Sequence, residues 1–387
     1  MAPFFLKRML RSPGKHLCVL LVTLALSGLL CFLAGFREKQ ETSREAVIDS
    51  AEVLCVVTDI KGTQSEHLQM GYGAAQAVTL AGFYRLPEYV KDIRMTKELT
   101  AVIPGVGTEL TITAVTGPEG IEKLDPALGA EVTLLREDFY GSDEPLLIVS
   151  EQVFEALGGE TTLKAYLQDP KINPELFPNE PGKGRGEEEF TVAGCYKGVG
   201  SELYMPFGAA MLIIDRISGS RSLDSLSFLA KDNRRIDELR EAAGEVFGTV
   251  DPQGNYGEHR FALTVHDEEL ERKVAAFDQN LRRMDILIPA GLALTLAAGL
   301  LMGFISTRSE KDTYALARSV GMTKKRLLRS ALAEQLLLPL AACILTGAAF
   351  LKPLPALAVL GLYALGCFAA VLRAVSVPPT ELLREQE

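Results

Sequence analysis

RSEKDTYALARSVGMTKKRLLRSALAE, residues 308–334, lies between two long apolar runs, and its reading decides how the rest of the chain is arranged. Ser309, with Asp312 three residues later, resembles a helix start. Tyr314, Leu316, Ala317 and Val320 then fall at helical spacing as a narrow apolar stripe. Gly321 suits the left-handed residue that closes a helix. Thr323 is placed to cap a second helix whose first turns carry Lys324, Lys325, Arg326 and Arg329 before the sequence turns apolar at Ala331. The stretch reads as a short helix-turn-helix at a membrane surface.

The flanking runs define the membrane. Residues 17–36 and 286–305 each hold 20 residues without a charge. At 1.5 Å rise per residue such runs cross a hydrocarbon core. Residues 331–350 carry only Glu334, and 355–372 carry no charge. Four transmembrane helices follow: 17–36, 284–305, 331–350 and 355–374. Residues 306–330 hold seven Lys/Arg against two acids, and residues 1–16 hold Lys7, Arg8, Arg11 and Lys15 with no acid. Short basic segments stay inside, so the chain is expected to be a multi-pass plasma-membrane protein with both termini cytoplasmic. Residues 3–11 have the composition of an interfacial helix within the cytoplasmic segment 1–16; an ordinary cytoplasmic stub is the alternative. Residues 375–387 form a cytoplasmic tail.

The overall charge of −10 conceals a split. Residues 37–283 hold 43 acids and 26 bases, so the remainder is net positive. The basic clusters are juxtamembrane, which argues against a nucleic-acid partner and leaves membrane lipid as theirs. Residues 37–283 form an extracytoplasmic domain. The run 37–50 is charged and free of Gly and Pro, so it continues the first helix outward. VLCVVTDIKG (53–62) is rich in β-branched residues and reads as a strand. GFYRLPEYVKDIRM, ELTITAVTG and LLIVSEQVFEALGG add strand and short-helix signals. Residues 168–189 carry four prolines and three glycines and read as a loop. EFTVAGCYKG, SLSFLAKD and FALTVHD resume as strands. NRRIDELREAAGEVF is a helix with Asn233 as cap, and EELERKVAAFDQNLRRM is a helix feeding the second span. The fold class is thus an α-helical membrane protein with four transmembrane helices and a large α+β domain inserted between the first and second.

Chemistry is sparse. His16, His67, His259 and His266 make no H-E-x-x-H spacing, and no metal site is expected. No G-x-x-x-x-G-K-[ST] occurs, so the chain binds no nucleotide cofactor itself. No nucleophile elbow stands out; an enzyme is not expected, and no catalytic residue is assigned. Gly299 and Gly303 form a G-x-x-x-G, a transmembrane packing motif that serves either a dimer seam or intramolecular contact. Pro289 and Pro339 fall inside spans and are placed to kink them. Cys55 and Cys195 lie in expected strands on the oxidising side, where a disulfide between them is open but spacing does not show that they meet.

The run ALARSVGMTKKRLLRSALAEQ resembles the cytoplasmic loop of MacB/FtsX-type ABC transporter permeases, in which a basic helix, a small-residue turn with a glycine and a second basic helix lead into a span bearing an early glutamate. Arg318, Gly321, Lys324, Lys325, Arg326 and Glu334 match that pattern. The resemblance extends to layout (one span, a large outer domain, three spans) and to the tail PPTELLRE. It implies a permease subunit that couples ATP hydrolysis by a separate cytoplasmic ABC ATPase to motion of the outer domain, for substrate export or extraction. It also implies a second permease chain, identical or related. ATP would be bound by the ATPase, which would dock on a coupling segment 306–330 through Glu310, Arg318, Gly321, Thr323, Lys324, Lys325 and Arg326. Glu334 would brace this helix pair; interfacial solvation is the alternative. The family's two-lobed outer domain implies a membrane-proximal lobe of about 50–120 plus 205–283, with the other lobe between. The layout alone also allows a membrane scaffold or signalling protein whose outer domain regulates a cell-wall hydrolase or senses a ligand.

Overall fold

A computed structural model describes residues 13–104, 106, 109–118, 121, 132–169, 185–197, 202–219, 221–247 and 261–376. Most of the interfacial segment 1–16, the centre of the loop 168–189 and the PPTELLRE tail lie outside them. In chain order the elements are α1 (Pro13–Ser50), β1 (Leu54–Asp59), β2 (Met70–Gly71), α2 (Tyr72–Thr79), β3 (Val90–Val102), β4 (Glu109–Val115), β5 (Val132–Leu134), β6 (Leu146–Ser150), α3 (Glu151–Ala156), β7 (Thr162–Gln168), β8 (Arg185–Tyr196), β9 (Glu202–Pro206), α4 (Phe207–Ser218), β10 (Ser222–Leu223), β11 (Ser225–Ala230), α5 (Ile236–Phe247), β12 (Phe261–His266), α6 (Glu268–Ser309), α7 (Lys311–Ser319), α8 (Lys324–Ala349) and α9 (Pro353–Ser376).

The chain divides into two compact units, residues 1–47 with 272–387, and residues 48–271. Both divisions fall inside the acidic region 37–283, because the charged runs at its ends continue helices α1 and α6 rather than starting the sheet.

In the helical unit, α1, α6, α8 and α9 are each long and apolar enough to cross a membrane. Each expected span lies in one of them, apart from Phe350, which caps α8. Pro289 and Pro339 sit inside α6 and α8. Small residues let these helices approach closely. A Cβ on Gly366 of α9 would lie 2.5 Å from the carbonyl oxygen of Leu296 and 2.9 Å from the carbonyl carbon of Gly299, both on α6. A Cβ on Gly303 would meet Ala370 Cβ at 2.9 Å, and one on Gly299 would collide with the Tyr363 carbonyl. The G-x-x-x-G face is therefore filled by α9 of the same chain. Ser27 and Thr346 hydroxyls share a 2.5 Å hydrogen bond between α1 and α8. Beyond the apolar runs α1 and α6 stay paired through ions, Arg44 Nε to Asp278 Oδ1 at 2.8 Å and Arg37 to Asp285 at 3.4 Å.

The inserted domain is a mixed α+β fold around one ten-stranded sheet, ordered β12-β1-β11-β3-β4-β9-β6-β8-β5. β7 pairs with both β3 and β8, so β3, β4, β9, β6, β8 and β7 close a cycle of six strands. β4–β9 and β6–β8 are parallel, the other pairs antiparallel. Strands that face buried side chains on both sides read as continuous apolar runs, as LLIVS in β6 does. One core cluster joins Val115, Ile121, Phe139, Leu146, Ile148, Ala193, Tyr196 and Tyr204. β4 belongs to the cycle, so the residues of 50–120 and 205–283 do not form a self-contained sheet.

Three local expectations are corrected. Arg185–Glu189, read as loop, is the start of β8, where Glu187–Glu189 face Lys164, Ala165 and Tyr166 of β7 in antiparallel register. Asn233 does not cap its helix. Asp232 accepts from the Arg234 amide at the turn before α5, and the Asn233 amide instead donates to the carbonyls of Ile48 and Ala51, 2.7 Å each. Ser309 is the last residue of α6, and Glu310 holds the cap position of α7.

Candidate functional site

Residues 306–334 form α7, a turn and the start of α8. The turn is built by backbone hydrogen bonds. Gly321 has φ +93°, a conformation L-residues avoid, and its amide donates to the Arg318 carbonyl at 3.1 Å. The Met322 amide donates to the Ala317 carbonyl at 3.1 Å. These two bonds are the Schellman closure of a helix, which satisfies carbonyls that would otherwise lack partners. Thr323 occupies the cap position of α8 in extended conformation, with its carbonyl receiving the Arg326 and Leu327 amides at 3.0 Å; its hydroxyl makes no capping bond.

The two helices share a small core of Tyr314, Leu327, Ala331 and Val371, with Ala317, Leu328 and Leu332 packed on it. Tyr314 Oη also donates to Glu310 Oε2 at 2.8 Å, and Glu310 lies 3.9 Å from Lys15 on α1. The helix pair is thereby fixed to the helices beside it. The expected apolar stripe splits. Tyr314 and Ala317 turn inward, while Leu316 is 68% and Val320 81% exposed. Met322, Lys324, Lys325 and Arg326 are exposed beside them. The surface is an apolar patch edged by three consecutive bases, chemistry that fits a protein partner with an apolar groove and acidic rim. Glu334 is buried one turn deeper in α8. Its neighbour Gln335 has both amide atoms buried without a hydrogen-bond partner among the described residues.

Of the expected site residues, the structure gathers Glu310, Arg318, Gly321, Thr323, Lys324, Lys325, Arg326 and Glu334 on this one helix pair, and places Gly299 and Gly303 against α9. It does not bring the cysteines together. Cys55 on β1 and Cys195 on β8 are free thiols. The shortest pairing route between their strands passes through β11, β3 and β7. Cys55 stands opposite Phe228 and Val265, and Cys195 opposite Thr133 and Val149, so neither faces the other across a ladder. Burial pushes the Cys55 thiol up to about 12, and burial also raises Cys195. Among the described residues no group of His, Cys, Asp and Glu is arranged to hold a metal ion. Lys15 and Tyr314, which hold Glu310, carry no signal of that role in the sequence; the Lys15 contact spans 295 positions, which no local spacing reveals.

No family model matches the chain, and no curated protein matches it in sequence. Among solved structures it is similar to the periplasmic region of MacB from Actinobacillus actinomycetemcomitans, with 13% identity and a TM-score of 0.32 over 59% of this chain and 94% of that one. The extracellular domain of the noncanonic ABC-type transporter YknZ from Gram-positive bacteria gives 16% identity and a TM-score of 0.32, covering 55% of this chain and 99% of that one. A domain of a protein named as a permease, from Porphyromonas gingivalis, gives 11% identity and 0.28 over 57% and 89%. At these TM-scores the likenesses carry no argument by themselves.

Proposed function

We propose that this chain is the membrane-spanning permease subunit of a MacB/FtsX-type ABC transporter. A separate cytoplasmic ATPase docks on the α7–α8 pair, binds and hydrolyses the ATP, and drives motion of the inserted domain on the extracytoplasmic side. Export or extraction of a substrate is the expected output. The observation that carries the reading is the coupling segment, in which exposed Leu316, Val320 and Met322 border Lys324–Arg326 on a helix pair locked at Gly321. Apolar side chains beside bases also suit a lipid surface; what supports a shaped protein partner is the backbone-closed turn at Gly321, which holds them in one arrangement. Both termini and this segment lie in the cytoplasm under the basic-inside rule. A second permease chain completes the transporter.

The test is a mild-detergent pull-down of the tagged full-length chain from its native host, followed by mass spectrometry. A P-loop ATPase recovered with the wild type, and lost when Lys324, Lys325 and Arg326 are changed to alanine, supports the reading. Recovery of only an extracytoplasmic enzyme or receptor, with no ATPase, overturns it in favour of a scaffold.

A further inference from the structure

β3 is the one strand common to the two parts of the inserted sheet. Along one edge it pairs with β11 from Val90 to Thr96 and with β7 from Thr100 to Val102, so its neighbour changes across residues 97–99. Asp224 precedes β11 and Asp169 follows β7, so each stands at the strand end that borders this gap. Between them lies Lys97, fully buried, with Nζ 3.5 Å from Asp224 Oδ1, 3.9 Å from Asp169 Oδ1 and 3.3 Å from Ser222 Oγ. The other oxygen of Asp224 stands in for the missing strand, accepting the Glu98 amide at 3.0 Å, while the Asp224 amide donates to the Thr96 carbonyl at 2.8 Å. The Leu68 amide donates to the Asp224 carbonyl at 2.9 Å.

A buried ammonium is costly to desolvate and is retained where geometry satisfies it. Apolar side chains would fill the same volume without that cost, so the cluster points to a specific register rather than to bulk stability.

We propose that Lys97 is a latch at the joint of the inserted domain, holding the ends of β7 and of the β10–β11 corner onto β3 so that the four-stranded part and the six-stranded cycle move as one body. Its purpose rests on the permease reading, in which force entering one part must reach the other. Its existence does not.

Hydrogen–deuterium exchange on the full-length chain in detergent, with no ATPase present, tests it. Lys97→Met should speed exchange at least about tenfold in Tyr166–Gln168 and around Glu98 and Asp224, while the β1–β12 ladder from Cys55 to Thr58 keeps its protection. Unchanged exchange at the joint overturns the latch. So does equal acceleration in both places, which marks general destabilisation. Should Lys97→Met fail to accumulate, Asp169→Asn leaves Lys97 with Asp224 and must loosen the end of β7 alone; an unaffected β7 overturns the proposal. Failure of the pull-down leaves these outcomes readable, so the two ideas fall separately.

Discussion

The helical unit and the inserted domain are held together by different physics. The domain hides its large side chains; Phe139, Phe190, Phe228, Tyr196 and Tyr204 are all at most 1% exposed. Water makes that burial favourable. The helical unit leaves Leu294, Leu301, Ile344 and Leu345 on its outside and brings backbones together at Gly299, Gly303 and Gly366. Lipid is as apolar as leucine, so close approach and dispersion replace burial as the source of cohesion. One chain therefore obeys opposite rules about where size is tolerated. Large residues fill the centre of the domain; in the helix bundle they are excluded where α6 and α9 meet at Gly299, Gly303 and Gly366, although Leu30 and Tyr363 are buried elsewhere in it.

The largest effect should come from deleting volume in the domain. Phe139→Ala removes a ring packed edge-on to Tyr140 at 5.1 Å and should cost about 3–5 kcal/mol. Each unit contains its own reporter, because Cys55 is buried in the domain while Cys343 and Cys367 are buried in the bundle. A thiol held near pKa 12 stays protonated at pH 8 and is alkylated only after opening. Heating with iodoacetamide and mapping labelled peptides should show Cys55 exposed at lower temperature and the other two unmoved. If all three shift together, the units unfold as one and the contrast between them fails.

The reverse experiment adds volume to the bundle. Gly366→Leu should cost about 1–3 kcal/mol or more by overpacking. Gly361→Leu on the same helix, where a new Cβ meets nothing within 4 Å, should be close to neutral. Here Cys343 and Cys367 are the thiols expected to open early. Equal effects of the two substitutions would show that α6 and α9 are not in backbone contact.

The same contrast governs how much of each unit is legible in the sequence. The four spans are legible because an apolar run of about 20 residues with almost no charge matches the thickness of a bilayer and exceeds what a soluble core helix needs. The charged ends of α1 and α6 are legible because they lack Gly and Pro. Gly321 is legible as a helix end, since its spacing from Leu316 and Ala317 leaves little room for another turn. The inserted domain is harder. α4, FGAAMLIIDRIS, has an exposed face through Leu212, Asp215 and Arg216, but Leu212 is as apolar as the buried residues around it, so the sequence before Asp215 reads as an unbroken apolar run rather than as a helical period. The start of β8 reads as loop because it closes a run with four prolines and three glycines, yet an antiparallel partner, β7, organises it. Lys97 is invisible, since a buried lysine and an exposed one are the same letter; only the meeting of three strand ends distinguishes them.

At the coupling segment the expected effect is smaller and local. Gly321→Ala forces a Cβ into φ +93°, at about 1–2 kcal/mol, with no clash to add because nothing lies within 4 Å. The last turn of α7 should fray while the bundle thiols keep their wild-type opening temperature. Trypsin should cut several-fold faster between Arg318 and Lys325. Unchanged cleavage would mean that the turn is not held by the bonds from Gly321 and Met322.

The smallest effect concerns charges, and it separates the two units once more. Arg44 and Asp278 pair across α1 and α6 at 2.8 Å, but both side chains remain about a third or more exposed. Such a pair gains little in water, because solvation is lost only in part and two long side chains lose freedom. A double-mutant cycle with Arg44→Gln and Asp278→Asn should give a coupling of at most about 1 kcal/mol. Raising salt from about 0.05 to about 0.5 M should shrink it further, given Debye lengths on the order of 10 Å or less over most of that range. Lys97, at 0% exposure, is sheltered from that screening, so exchange at its joint should be indifferent to the same salt change. A large, salt-resistant coupling at Arg44–Asp278 would mean that the helix pair is desolvated there, and that something other than water covers it.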